Sequence, residues 1–438
     1  MLPAMLQQAA SSTFNFVDNL MVGRVDAQTL AGVAVANRLF LIFSGIFWGL
    51  TGTGAMLISQ YRGADDRDEC ERLFILQVVS GFLIALAFVL VMTLFPRQIL
   101  GWFVQDPVTL QHGLDYLSIV RFSYFPAALT MVGLFSMRAI GHNHMPLVAG
   151  ITGMVVNLSL NWVLIFGQLG FPALGARGAA MATLAARILE ASMYMIWIAL
   201  GRTLFSWNIW SLKKLSAPVA RMMLRKSVPL IINEFLYTAG LSLMFWSVSR
   251  LQEHALPAAV IADQAIQLLM IIFGGMANGV TIMVGQRLGA CQFDQARANA
   301  RLLLVFQGAL AGIMTGVTVI LAPFIARWFS LPPELEQVAT RMIWIQAAFL
   351  VPSIIFANIF FVLRAGGDMR SAFKIDALLM WLLPVPAGVA LALIFPGVGT
   401  KGLLFAYGTI YLLHNIKIIP GLHYFRRGDW VRNLTLKH

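Results

Sequence analysis

Twelve apolar runs divide this chain at short polar intervals, near 3–23, 30–59, 73–95, 114–137, 146–169, 176–200, 227–249, 257–285, 302–325, 337–363, 371–394 and 402–424. Each is long enough for a helix to cross a hydrocarbon core about 30 Å thick. Within such a core every backbone N–H and C=O must be satisfied inside the segment, so the runs predict helices rather than open strands. The pattern therefore predicts an all-α membrane protein of twelve transmembrane helices.

The runs fall into two sets in register. At an offset of 226 residues, Pro3 meets Pro229, Gln60 meets Gln286, Gly63 meets Gly289 and Pro107 meets Pro333. Pro126 likewise meets Pro352, and Arg138-Ala139 meets Arg364-Ala365. Near the end of each half the offset slips to 224, where Phe171-Pro172 meets Phe395-Pro396. A period this long marks two homologous domains rather than a solenoid. The expected division is a six-helix lobe over 1–200, a cytoplasmic interlobe linker over 201–226, and a second six-helix lobe over 227–438. An even number of spans per lobe makes the repeats parallel, an arrangement of transporters with sites near the repeat interface.

Composition sharpens the class. Hydrophobic residues make up 59% of the chain and charged residues 11%, against about 25% charged in a soluble domain. Mean hydropathy is +0.78. The net charge of +12 invites a nucleic-acid reading, but the cations recur in alternate loops. Arg62, Arg67, Arg72, Arg138, Arg202, Lys213, Lys214, Arg287, Arg364, Arg370 and Lys374 lie on one side. Arg24, Arg97, Arg177, Arg250, Arg327 and Lys401 lie on the other. The excess on the first side puts it, and both termini, in the cytoplasm. The expected location is a bacterial inner membrane, with multi-pass topology and no nucleic-acid partner. Cys70 and Cys291 follow the Gln60 and Gln286 loops and read as neither disulfide nor metal ligands. Two repeated loop motifs, Ser59 to Ala64 with Gly285 to Ala290, and Arg138 to Gly141 with Arg364 to Asp368, read as tight structural turns capped by glycine.

Taken together, certain stretches resemble the multidrug and toxic compound extrusion (MATE) family. They are Val17-Asp18-Asn19-Leu20-Met21-Val22-Gly23, Gly54 to Gly63, Met137 to Asn143, Asn157-Leu158-Ser159-Leu160-Asn161, Leu174 to Thr183 and Val284 to Ala290. The resemblance implies a V-shaped pair of six-helix lobes that export organic, often cationic, compounds in exchange for protons or sodium ions. The expected function is thus a secondary active antiporter, acting as a monomer among membrane lipids, with no cofactor. The alternative is a lipid-carrier flippase of the same broad superfamily. No HExxH, P-loop or nucleophile elbow supports an enzyme.

Ionisable groups inside a span are expensive and are the first functional candidates. Asp18 is foremost, roughly 22 Å along its helix from Pro3. It can carry a proton or offer oxygen to a cation; the competing reading is an acid satisfied by Ser11, Ser12, Thr13 or Asn15. Asn157 and Asn161 share one helix face and, with Thr183, are expected to complete a cation-coupling group around Asp18. No metal site is expected beyond a Na+ site at Asp18, Asn157 and Asn161. The resemblance places an essential acid at Asp18 and often a second acid at the position of Asn161. The amide here leaves one carboxylate and favours protons. Asn233, Glu234 and Asp263 are candidates for substrate contact or secondary coupling, with Asp263 the weaker. Asp376 is expected to pair with Lys374, and Arg187 with Glu190. Rocking of lobe against lobe is the expected motion.

Overall fold

The computed structural model describes residues 21, 27–101, 107–208, 210, 217–251, 256–328, 332–395 and 397–435. The first expected span, apart from Met21, lies outside the described residues, and Asp18 with it. Among the described residues there is helix and no strand. The first unit holds α1 (Ala27–Gly63), α2 (Arg67–Leu94), α3 (Pro107–Val120), α4 (Tyr124–Ala139), α5 (His144–Phe166) and α6 (Ala176–Ala199). Next come α7 (Ala217–Leu251), α8 (Leu256–Gly289), α9 (Phe293–Trp328), α10 (Pro333–Ala348) and α11 (Leu350–Ala365). The chain ends with α12 (Met369–Ile394), α13 (Thr400–Asn415) and α14 (Ile418–Arg427). Nine helices among the described residues are long and apolar enough to cross a membrane, and ten when α10 and α11 count as one bent span. Each expected span after the first lies on one of these helices or on the 34-residue α8.

The chain separates into two compact units, Met1–Ile231 and Ile232–His438. The stretch expected to be the interlobe linker packs at its start and is helical at its end. Phe205 stacks on Phe74 at 4.6 Å, Ser206 donates to Glu71 at 2.6 Å, and the Trp207 indole donates to the Met195 carbonyl at 3.1 Å. From Ala217 onward the chain is already α7. The physical reason is the aromatic content of this segment, which gains more from packing than from remaining in water.

Close helix approach in the first unit depends on small residues. A Cβ at Gly178 would fall 2.5 Å from the Leu164 carbonyl oxygen, and one at Gly153 would fall 2.2 Å from Glu190 Oε1. These two glycines let α5 and α6 lie against each other.

The fourth span of each lobe is broken at the same place. A 3₁₀ turn at Arg121–Ser123 separates α3 from α4, and α10 bends by 44° into α11. The cause is the repeat-related proline pair, Pro126 and Pro352. Proline has no N–H for the carbonyl four residues back and its ring crowds that carbonyl. In α12, residues Lys374–Leu378 form a π-helical turn, a further interruption of regular helix.

A charged aromatic cavity in the second lobe

Helical spacing brings the candidate groups of this lobe together. On α13, Tyr407, Tyr411 and His414 recur at i, i+4 and i+7, one face of a helix. Lys417 continues that stripe from the two-residue joint between α13 and α14. On α11, Phe356, Phe360 and Arg364 are spaced by four. With Glu234 and Tyr237 on α7, Asp263 on α8, Gln346 on α10 and Asp376 on α12, they line a cavity of about 470 Å³. All of its described lining belongs to the second unit.

Three acids line the cavity together with Arg364, Lys417 and His414. Arg364 Nη1 lies 3.2 Å from Glu234 Oε1, and its guanidinium also faces the rings of Phe360 and Phe361 at 5.3 and 5.1 Å. Lys417 Nζ lies 3.0 Å from Asp376 Oδ1 and over the rings of Phe356 and Tyr237 at 4.3 and 5.2 Å. The other Asp376 oxygen accepts from Asn233 Nδ2 at 3.0 Å. Both pairs are largely buried, with side-chain exposures of 8% and 19% for Arg364 and Glu234, and 6% and 8% for Lys417 and Asp376. Pairing of this kind is what permits charge in a low-dielectric interior, since removing one partner leaves an uncompensated buried ion.

Asp263 is different. Its Oδ1 accepts from Gln346 Nε2 at 2.7 Å and from the Tyr411 hydroxyl at 3.3 Å, both neutral donors. Gln346 also bonds the Tyr407 hydroxyl. Among the described residues no cation forms an ion pair with Asp263. Of the three acids, Glu234 and Asp376 are ion-paired, and Asp263 sits where Tyr407 and Tyr411 present rings 4.8 Å apart.

The sequence-predicted residues fare unequally. Asn157, Asn161 and Thr183 do come together: Asn161 Nδ2 donates to Asn157 Oδ1 at 2.8 Å, and Asn157 Nδ2 to Thr183 Oγ1 at 3.4 Å. The Asn157–Thr183 bond ties α5 to α6. Their association with Asp18 lies outside the described residues. Arg187 and Glu190 pair at 3.0 Å as expected. Asn233 and Glu234, neighbours in sequence, serve separate ion pairs. Asp263 lies in the cavity, a stronger position than its sequence position suggested. Asp376 does not pair with Lys374. The two are two residues apart on one helix, so they point to different sides; Lys374 is exposed while Asp376 is buried. Arg364, read as part of a tight structural turn, is buried and lines the cavity. Cys70, expected in a loop, is buried in the first turn of α2.

Sequence reasoning missed Arg364, Lys417, Gln346 and the two tyrosines. The four-residue stripe from Tyr407 to Lys417 was the available signal. It was hidden because Lys417 and Arg364 fall near span ends, where basic residues are normally read as topology signals.

Comparison with known proteins agrees with this architecture. The MatE family model matches residues 3–163 and again 229–389, the same unit twice at the 226-residue offset (229 − 3 = 226). The multidrug resistance protein MdtK of Edwardsiella ictaluri is 26% identical over 420 residues, covering 92% of this chain and 89% of its own. A crystal structure of a MATE protein in a straight conformation superposes with a TM-score of 0.88 at 16% identity, covering 98% of this chain and 95% of that one. One in a bent conformation gives 0.87 at 16% identity, covering 98% and 94%. With its family model matched in both halves, this chain belongs to the MATE family of multi-pass efflux transporters.

Proposed function

We propose that this chain is a secondary active antiporter exporting organic cations and amphipathic compounds across a bacterial inner membrane, with the second-lobe cavity as a substrate site. The observation that carries this reading is Asp263, the acid of an aromatic cavity whose described partners are all neutral. A buried carboxylate attracts a cation strongly once water is excluded, and flanking aromatic faces add cation–π attraction. Such a site accepts many shapes, because charge and ring faces impose little stereochemistry. Nothing observed favours the lipid-carrier flippase.

Coupling is assigned to Asp18, supported by Asn157, Asn161 and Thr183. A single carboxylate can alternate between neutral and charged as its access changes, whereas sodium is normally held by several hard oxygens; protons are therefore the proposed coupling ion. The protein is taken as a non-catalytic monomer, with both termini in the cytoplasm.

The test is efflux of a fluorescent lipophilic cation from proteoliposomes under an imposed proton or sodium gradient. A proton gradient should drive transport and a sodium gradient alone should not. Asp18→Asn should insert normally and lose export. Transport that follows sodium alone, or survives unchanged in Asp18→Asn, overturns the coupling assignment.

A further inference from the structure

We infer that His414 is a specificity-determining contact of the second-lobe cavity, a hydrogen-bonding point for an uncharged oxygen carried by an organic cation. This role for His414 rests on the cavity being a substrate site, as proposed above. The repeat singles out the position. The sixth span of each lobe opens at equivalent glycines, Gly175 with Gly399 and Gly178 with Gly402, at an offset of 224. The helices α6 and α13 start in that same register, at Ala176 and Thr400 (400 − 176 = 224). Arg187 therefore corresponds to Tyr411, and Glu190 to His414 (411 − 187 = 224 and 414 − 190 = 224). In the first lobe these two positions close on each other as an ion pair at 3.0 Å. In the second lobe a tyrosine and a histidine replace them, and the same helix face lines the cavity. Hydrogen-bonding capacity spent within one helix in the first lobe is turned towards the cavity in the second.

The imidazole is also left adaptable. Tyr411 donates its hydroxyl to Asp263 at 3.3 Å, whereas His414 Nδ1 is buried with no hydrogen-bond partner among the described residues. The ring therefore meets the cavity through its outer edge, which carries Nε2. In a buried histidine the tautomer is set by the bond that the other nitrogen makes. Nothing sets it here, so in its neutral form His414 can turn either an N–H or a lone pair to the cavity. It can donate to an ether or carbonyl and accept from a hydroxyl. Unpartnered buried nitrogens are uncommon and call for a reason; a fixed partner at Nδ1 would restrict what Nε2 can meet. The nearby cations are engaged elsewhere, Lys417 with Asp376 at 3.0 Å and Arg364 with Glu234 at 3.2 Å. The Tyr237 ring flanks the imidazole, with centroids 6.4 Å apart. Tyr411 and His414 lie roughly 4.5 Å apart along the helix axis. The substrate class is an organic cation whose positive nitrogen lies towards Asp263 and whose hydroxyl, ether or carbonyl oxygen lies one helical turn away.

Equilibrium binding of three matched probes to the purified protein is the test. They are a phenylalkyl trimethylammonium, its derivative with a hydroxyl on the carbon four bonds from nitrogen, and the methyl ether of that derivative. Wild type should bind the hydroxyl and ether probes about five- to tenfold more tightly than the plain cation, the worth of one added hydrogen bond. Both ratios should fall to about one in His414→Phe and survive in His414→Gln, whose carboxamide offers a donor and an acceptor. Ratios between probes are not imitated by a general loss of affinity. Should His414→Phe fail to fold, His414→Leu takes its place under the same ratios. Absence of the preference from wild type, or its persistence in the Phe or Leu variant, overturns the assignment. So does its loss in His414→Gln, which would make the residue a matter of shape, or a wild-type preference for only one of the two oxygens, which would mean a fixed tautomer. Asp263→Asn separates this outcome from the underlying reading. It should weaken all three probes alike; if it weakens none, the cavity is not a substrate site. If it weakens all three while the ratios ignore His414, only the role of His414 falls.

Discussion

At the scale of single residues, the second lobe separates two uses of buried charge. Glu234 and Arg364 satisfy each other at 3.2 Å, whereas Asp263 has, among the described residues, the neutral donors Gln346 and Tyr411. The consequences of mutation should differ accordingly. Arg364→Met should lower stability by about 3–5 kcal/mol, because Glu234 would stay buried without its partner. Glu234→Gln combined with Arg364→Met should recover most of that loss, since no unpaired ion remains. Denaturant or thermal unfolding in detergent measures both, and equal destabilisation by the single and double variants would contradict the pairing. Asp263→Asn should leave stability nearly unchanged, because the amide can still accept from both neighbours. It should weaken binding of organic cations about 10- to 100-fold, about 1.4–2.8 kcal/mol, while neutral amphiphiles bind as before. Of these residues the sequence exposed Glu234 and Asp263 as acids inside apolar runs. It did not expose their partners, because an ion pair between Glu234 and Arg364 spans 130 positions and only the fold brings its ends together.

At the scale of elements, the duplicated prolines make the strongest link from sequence to geometry. Pro126 and Pro352 were visible as repeat partners, but a repeat offset says nothing about a bend. The bend follows from the missing N–H at each ring, and in the second lobe it sets Gln346 of α10 and Phe356 of α11 on the wall of one cavity. Pro352→Ala would restore a donor for the Ala348 carbonyl and relieve the ring clash. The expected outcome is a protein at least as stable as wild type whose cation affinity falls, measured by equilibrium binding. Unaltered affinity would mean that the bend is held by the surrounding helices and not by the proline. A second element-level prediction concerns the turn after α11. A Cβ at Gly366 would fall 1.8 Å from the Trp430 carbonyl oxygen, and Trp430 itself is buried with its indole donating to Phe425. Gly366→Ala should dislodge the tail from this turn and expose residues after Gly428 to limited proteolysis. Gly312→Ala and Gly316→Ala on α9 meet no atom within 4 Å and should leave the cleavage pattern unchanged. The glycines of this turn were legible as a cap, while their second duty under the tail was not, since Trp430 arrives from 64 positions away (430 − 366 = 64).

At the scale of the whole molecule, duplication was the most legible property, because it leaves identical residues at one offset whatever the lobes do. Orientation in the membrane is legible only through the bias of Lys and Arg between alternate loops, and the two cysteines offer a direct measurement of it. Cys291 is exposed in the turn between α8 and α9, whereas Cys70 is buried against the Ile58 carbonyl. The C-terminal tail reaches the same turn, where Asn433 Nδ2 donates to the Gly289 carbonyl at 3.0 Å and approaches Cys291 Sγ at the same distance. The C-terminal tail and Cys291 therefore lie on one side of the membrane, and locating the thiol locates the tail. A membrane-impermeant maleimide should label the protein in inside-out vesicles and not in intact spheroplasts, and Cys291→Ser should abolish the signal. Labelling from the outer face would invert the orientation and, with twelve spans, would move both termini outside.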